Sequence, residues 1–272
     1  MEGLANELYH GVRGVFSSSQ ERDMARSLEL FHGRHIARTI PGFSSSSTEV
    51  GSDVHAWWEN AEAGLDFLVN PPDDTLTPTG LIGKKAEEWA KTAGITGRLV
   101  SPTAKATIQR IVDALQANPR AMELNAATVY RELSFFWPHE NGLWLRSRAD
   151  NVLEDNHYVD LKTTSCEDID RDFPGSVMKF GYDRQQAFYE LCQEASGGPV
   201  AGMTFVIVQT NYPYQVRCRT LPRAIVDKAK RSVLRNLDEI KNRIDLDHWI
   251  PDGADEIREL VFPRWALTEE LS

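Results

Sequence analysis

Cysteine is scarce in this sequence. Of 272 residues only Cys166, Cys192 and Cys218 are cysteines, an odd number with no CxxC spacing. That excludes a zinc or iron–sulfur centre built on cysteine pairs, and it points to a reducing compartment. Long apolar runs are missing too. No stretch reads as a membrane span, and the N-terminus shows no signal-peptide pattern. Positive charge is not in excess: 30 Lys and Arg stand against 40 Asp and Glu, for a net charge of −10. This is not the footprint of a general nucleic-acid coat. It leaves room for an enzyme whose basic residues line one channel inside an acidic exterior. No internal repeat is present. A hydrophobic fraction of 41% can supply a sizeable core.

What is present centres on residues 143–164. Leu143, Leu145, Ser147 and Ala149 alternate with Trp144, Arg146, Arg148 and Asp150, the period of a half-buried strand. Glu154 to His157 is a polar break that turns the chain back. Tyr158 to Thr164 reads as a second strand, on which Asp160 and Lys162 share a face. The short hairpin brings Asp150 beside them. Like charges this close ionise together only with a cation between them. Oxygen ligands suit hard cations such as Mg2+ or Mn2+. A lysine beside such an ion can orient water or offset developing charge. The bland alternative is a surface ion pair on an exposed hairpin.

Asp150 followed by Asp160-Leu161-Lys162 resembles the motif of the PD-(D/E)XK nuclease superfamily. Arg146-x-Arg148-x-Asp150 and Val159 to Thr164 look like its RecE-type branch, the exonuclease VIII family of phages and prophages. Ala149 stands where the superfamily's proline would be, a position that varies. The resemblance extends from Tyr9 to Trp265. It implies an α/β fold with a mixed central sheet flanked by helices after a helical N-terminal half. It also implies one domain over 1–272: about 1–125 mostly helical, about 126–245 the nuclease core, and a tail from about 246.

The resemblance implies a metal-dependent exodeoxyribonuclease digesting linear double-stranded DNA 5′ to 3′. The single strands produced would feed a single-strand annealing protein in recombination. A ring-shaped homo-oligomer enclosing DNA, in the cytoplasm of a bacterial host, is part of the same expectation. Asp150, Asp160, His55 and the Leu161 carbonyl would hold Mg2+ or Mn2+, and Lys162 would position water. Gln185 and Tyr189 match the family's Q-x-x-x-Y helix motif and would support Lys162 and the scissile phosphate. Two alternatives remain: another nuclease with this core, either an endonuclease or a single-strand exonuclease, or a non-catalytic DNA-end or recombinase-binding module.

His55 sits in Ser46 to His55, where Ser46 and Glu49 fit a capping box. Gly51 and His55 are four apart and share a helix face. Gly51 would allow close backbone approach. A lone histidine is more often packed than ligating, and it is the resemblance that favours a metal role. Trp57 and Trp58 read as core or lid packing, and Glu49 and Glu59 as weaker candidates near the site.

Elsewhere the pattern reads as scaffold. A helix is expected over Gln20–Phe31, and a serine loop at Ser44–Ser47. Helices are also expected over Lys84–Ala93, over Pro102–Ala117 and from Pro119. Strand character runs over Ala127–Trp137. There Glu132 either approaches the site or pairs with Arg146 or Arg148. Glu167 to Asp172, followed by Phe173-Pro174-Gly175, reads as an acidic surface loop rather than a lid or strand-separating element, 202–209 as a buried strand, Gln215–Thr220 as its partner, and Pro222 as the start of a long basic helix. Trp249, Phe262 and Trp265 would pack back on the domain or on a neighbouring subunit.

Overall fold

The structure is a computed structural model describing residues 1, 4–41, 46–198, 201–251, 253–257 and 259–261. Ser44, Ser45, Phe262, Trp265 and the side chain of Ser46 lie outside that description. Helices α1 (Asn6–Gly11), α2 (Ser18–Arg26) and α3 (Leu28–Phe31) flank in sequence a two-residue strand, β1 (Val15–Phe16). Next come α4 (Ser46–Glu59), β2 (Leu68–Val69), α5 (Lys84–Ala93), β3 (Arg98–Leu99), α6 (Pro102–Gln116) and α7 (Pro119–Ala126). The remainder is β4 (Thr128–Pro138), β5 (Trp144–Leu153), β6 (Tyr158–Thr164), α8 (Ile169–Phe180), α9 (Tyr182–Ala195), β7 (Met203–Gln209), β8 (Val216–Arg219) and α10 (Arg223–Leu246). Among the described residues no helix is long and apolar enough to cross a membrane. All three cysteines are free.

Strand β5 is the hub of a mixed six-stranded sheet. It carries β4 antiparallel along one edge. On its other edge, β1 runs parallel at Trp144 and Leu145, and β6 runs antiparallel at Asn151 and Val152. Beyond β6, the helices α8 and α9 make the crossover that a parallel β6–β7 pair requires. Strand β8 closes the sheet antiparallel to β7.

Two apolar layers cover the sheet. One joins Leu145, Val152, Tyr158, Phe205 and Ile207 to α8, α9 and α10. The other joins Val159, Leu161 and Val206 to α4, α6 and α7. The helix starts follow local chemistry. Ser101 accepts from the Ala104 amide ahead of Pro102, and Asn118 from the Ala121 amide ahead of Pro119. A buried clamp fixes α9. Glu21, fully buried on α2, accepts from the Arg184 guanidinium and, at 2.9 Å, from Asn236 of α10.

Three expectations are corrected. The acidic loop is instead the start of α8: Asp168 accepts from the Arg171 amide at 2.9 Å, and Ile169, Phe173 and Val177 bury one face. Pro174 lies inside that helix and removes one backbone bond, a cost the buried stripe offsets. The helix expected over Gln20–Phe31 is divided at Ser27, whose extended backbone and side-chain cap start α3. Within the stretch expected to be mostly helical, Val15–Phe16 supplies β1 to the central sheet.

Helix α4 is seated by Trp58, which is fully buried and donates from Nε1 to Asn151 Oδ1 at 2.8 Å. Asn151 in turn donates to Thr128, and Asn125 donates to the Trp58 carbonyl. Trp58→Phe keeps most of the ring but leaves the buried Asn151 oxygen without its donor. Chemical denaturation should show a loss of about 1–3 kcal/mol. No change in midpoint would mean that this bond does not hold α4 to the hairpin.

Candidate active site

The β5–β6 ladder consists of Asn151 with Val159 and Val152 with Tyr158. The same register taken one step further sets Asp150 opposite Asp160, but there the pairing has ended. Strand β6 continues along β7 alone, and among the described residues the β5 edge between Leu145 and Asn151 has no strand partner. Backbone groups freed in this way need other partners. The Arg148 carbonyl takes the hydroxyl of Tyr189, which reaches it from α9.

Asp160 is 2% exposed. Its Oδ1 accepts from Gln185 Nε2 at 2.8 Å, and its Oδ2 lies 2.6 Å from Lys162 Nζ. Gln185 therefore orients the carboxylate rather than the lysine. The Lys162 ammonium also sits 4.8 Å from the centre of the Tyr182 ring, a cation–π arrangement. Burial opposes its charge, but Asp160 and Asp150 outweigh burial and raise its pKa. Lys162 is thus held charged.

Asp150 is served from the other layer. His55 Nδ1 lies 3.5 Å from Asp150 Oδ2. The helix that carries His55 comes close because Gly51 has no side chain: a Cβ there would meet Thr163 Oγ1 of β6 at 3.0 Å. Asp53, buried two residues on, pairs with Arg98 and anchors the same helix. Burial and the Asp160 charge raise the Asp150 pKa, with His55 and Lys162 opposing. The two carboxylates thus lie within electrostatic reach of each other and of Lys162.

Glu132 does both things expected of it. It pairs with Arg148 at 3.5 Å and lines the same cleft as His55 and Lys162. Its φ of +48° breaks β4 opposite Asp150, between the pairs Leu133–Ala149 and Arg131–Asn151. Such a conformation is costly for a non-glycine residue and clusters at functional sites. Glu59 lines the cleft as well, and burial raises the pKa of both glutamates. Glu49 is exposed and faces Arg98 at 3.8 Å, so it stands apart from the cleft. The cleft has a volume of about 420 Å³.

Asp150, Asp160, Lys162, His55 and Gln185 are therefore brought together. Tyr189 is buried, with its hydroxyl spent on the β5 backbone. Leu161 is fully buried in the opposite layer, so its carbonyl alone remains for the site. Sequence reasoning missed the part played by Tyr182, although its spacing of three from Gln185 was a usable signal. Arg148, expected as a motif residue and as a partner for Glu132, is also stacked 4.0 Å from the Tyr9 ring centre, a contact the sequence did not suggest. Among the described residues no three His, Cys, Asp or Glu side chains form a ready metal cluster. The donor set still suits a hard divalent cation: two carboxylates, an imidazole and a carbonyl. Asp160 Oδ2 is buried without a hydrogen bond, held only by the charge of Lys162.

The raised Asp150 pKa has a stability consequence. A carboxyl that binds its proton more tightly folded than unfolded favours folding while protonated, and that contribution is lost as pH rises through its folded pKa. In chelator, Asp150→Asn should be more stable than the parent above neutral pH. The difference should vanish towards roughly pH 4, the ordinary carboxylate range. Urea midpoints across that range check it; a pH-independent difference would mean that Asp150 binds its proton no more tightly in the folded chain than in the unfolded one.

Residues 17–258 match the family described as a PDDEXK-like domain of unknown function (DUF3799). No curated protein matches the sequence. Among solved structures, the fold is similar to that of a protein named "Putative exonuclease" from Eubacterium rectale. The TM-score is 0.62 at 16% identity, over 100% of both chains. A more distant likeness is to LHK-Exo, solved in complex with dAMP: TM-score 0.34 and 13% identity, over 89% of this chain and 95% of that one. The first of these speaks to the fold alone, and the second is too distant to carry an argument. Because the family match spans residues 17–258 of the 272, this chain belongs to the PDDEXK-like family and has its nuclease-like mixed α/β fold.

Proposed function

We propose that this protein is a divalent-metal-dependent exodeoxyribonuclease of the RecE-type branch, digesting linear double-stranded DNA 5′ to 3′. The observation that carries the reading is the convergence of Asp150, Asp160 and a charged Lys162 where β5 and β6 part. Asp150, Asp160, His55 and the Leu161 carbonyl would hold Mg2+ or Mn2+. When bound, such an ion polarises a phosphoryl oxygen and makes water easier to ionise. The chain's own groups do the rest. Lys162 positions the attacking water and offsets charge developing on the phosphate. Gln185 fixes the Asp160 carboxylate, and Tyr182 keeps the lysine from swinging away. Tyr189 holds the parted β5 strand and so sets where Asp150 stands. The strands released would pass to a single-strand annealing partner, and a homo-oligomeric ring would keep an acidic chain on its DNA.

End-labelled linear duplex and covalently closed circular DNA, each with Mg2+, Mn2+ or chelator, test this directly. Linear DNA should be shortened from its 5′ ends in either metal, and the circle should survive. Cutting of the circle would replace the exonuclease by an endonuclease, and release of the 3′ label first would reverse the polarity. Asp160→Ala and Lys162→Ala should each lower turnover by about 10²–10³-fold or more while DNA binding persists. Unchanged turnover in either would move the chemistry elsewhere. Gln185→Ala, which frees a carboxylate without removing it, should cost about 10–100-fold, measured in the same assay.

A further inference from the structure

A second cleft, of about 780 Å³, opens beside β1, on the same edge of β5 as the proposed active site. Its lining is basic in a chain of net charge −10. Arg13 and Arg38 are exposed, and among the described residues neither has an ion pair. Arg34 and His35 share Asp23, at 3.1 and 2.9 Å. Asp247 also lines the cleft, with one oxygen occupied by Trp249 Nε1 at 3.1 Å. Deeper in lies Arg146, 5% exposed, whose Nε is buried without a partner. Its Nη1 donates to the backbone carbonyls of Tyr9 and Val12, at the end of the α1 segment.

Two features give the cleft a direction. The guanidinium carbons of Arg146 and Arg148 lie 4.9 and 4.0 Å from the centre of one Tyr9 ring. Arg148 reaches on to Glu132 in the neighbouring cleft. A seam of packed side chains, Arg146, Tyr9 and Arg148, therefore runs beneath the surface from the floor of this cleft to Glu132 at the edge of the proposed site. The cleft also presents apolar surface at Val12 and Ile36, 42% and 37% exposed, beside the Trp249 ring. A positive groove with apolar and aromatic walls suits a single nucleic-acid strand, whose phosphates meet the arginines and whose bases meet the rings. Its volume is that of a small-ligand pocket, room for roughly one or two nucleotides rather than a duplex.

We infer that this cleft binds a short single-stranded stretch of DNA through its phosphates, beside the site proposed above to cut the same molecule. The inference rests on that nuclease reading for its substrate, but its test does not need cleavage. Binding of a fluorescein-labelled oligothymidylate to the Asp160→Asn chain in chelator is followed by anisotropy across a salt series. Adding Arg13→Ala and Arg38→Ala should weaken binding about tenfold or more. It should also flatten the slope of log affinity against log salt by about 1.4, or about 0.7 for each phosphate no longer neutralised. Both side chains are exposed and outside any ion pair among the described residues, so the thermal midpoint should not move. Lys84→Ala with Lys91→Ala on α5 removes the same charge elsewhere and should leave the slope as it was. The inference is overturned if the arginine pair leaves the slope unchanged, if the lysine pair has an equal effect, if only duplex binding weakens, or if the strand does not bind. A wild-type chain that cleaves no DNA would remove the nuclease reading and leave this measurement to judge the cleft.

Discussion

Everything at the site depends on a ladder that stops one step early. Strands β5 and β6 pair at two positions and then separate just where their register would set two aspartates face to face. Two unit charges about 4 Å apart interact by about 4 kcal/mol at the effective dielectric near a protein surface. Continued pairing would press that repulsion into a dry sheet. Parting opens a polar wedge instead, and the chain fills it with a lysine, an amide and an imidazole. The freed backbone is recovered by a phenol from α9.

That wedge is braced from both layers. On one side the buried Glu21 ties α2, α9 and α10 together, which fixes the helix carrying Gln185 and Tyr189. On the other, Trp58 and Asp53 seat α4, and Gly51 lets it lie against Thr163. The positive φ of Glu132 adds a kink on the third side. The same devices that satisfy buried polar groups therefore place the groups needed for phosphodiester chemistry.

Much of this was legible in the sequence where periodicity and turn chemistry agree. The alternation over Leu143–Asp150, the polar break and the Tyr158–Thr164 run give the hairpin to within a few residues. Gly51 was readable as a close approach because little else explains glycine inside a helix. The α8 segment was not legible: Pro174 and its acidic neighbours look like a loop, and only the tertiary burial of Ile169, Phe173 and Val177 makes them helical. Nor was the role of Gln185. A motif names the residue, whereas its choice of Asp160 over Lys162 is a matter of where α9 docks. The Glu21 clamp and the Tyr9 seam join residues over a hundred positions apart, a separation that local pattern does not report.

The central claim is that Asp150 and Asp160 share one divalent cation. Titrating Mn2+ into the protein and counting free ion by electron paramagnetic resonance asks this without any substrate. The expected result is a saturable site in the parent chain that is lost in both Asp150→Asn and Asp160→Asn. Binding that survives unchanged in either variant would show that the two carboxylates do not share an ion.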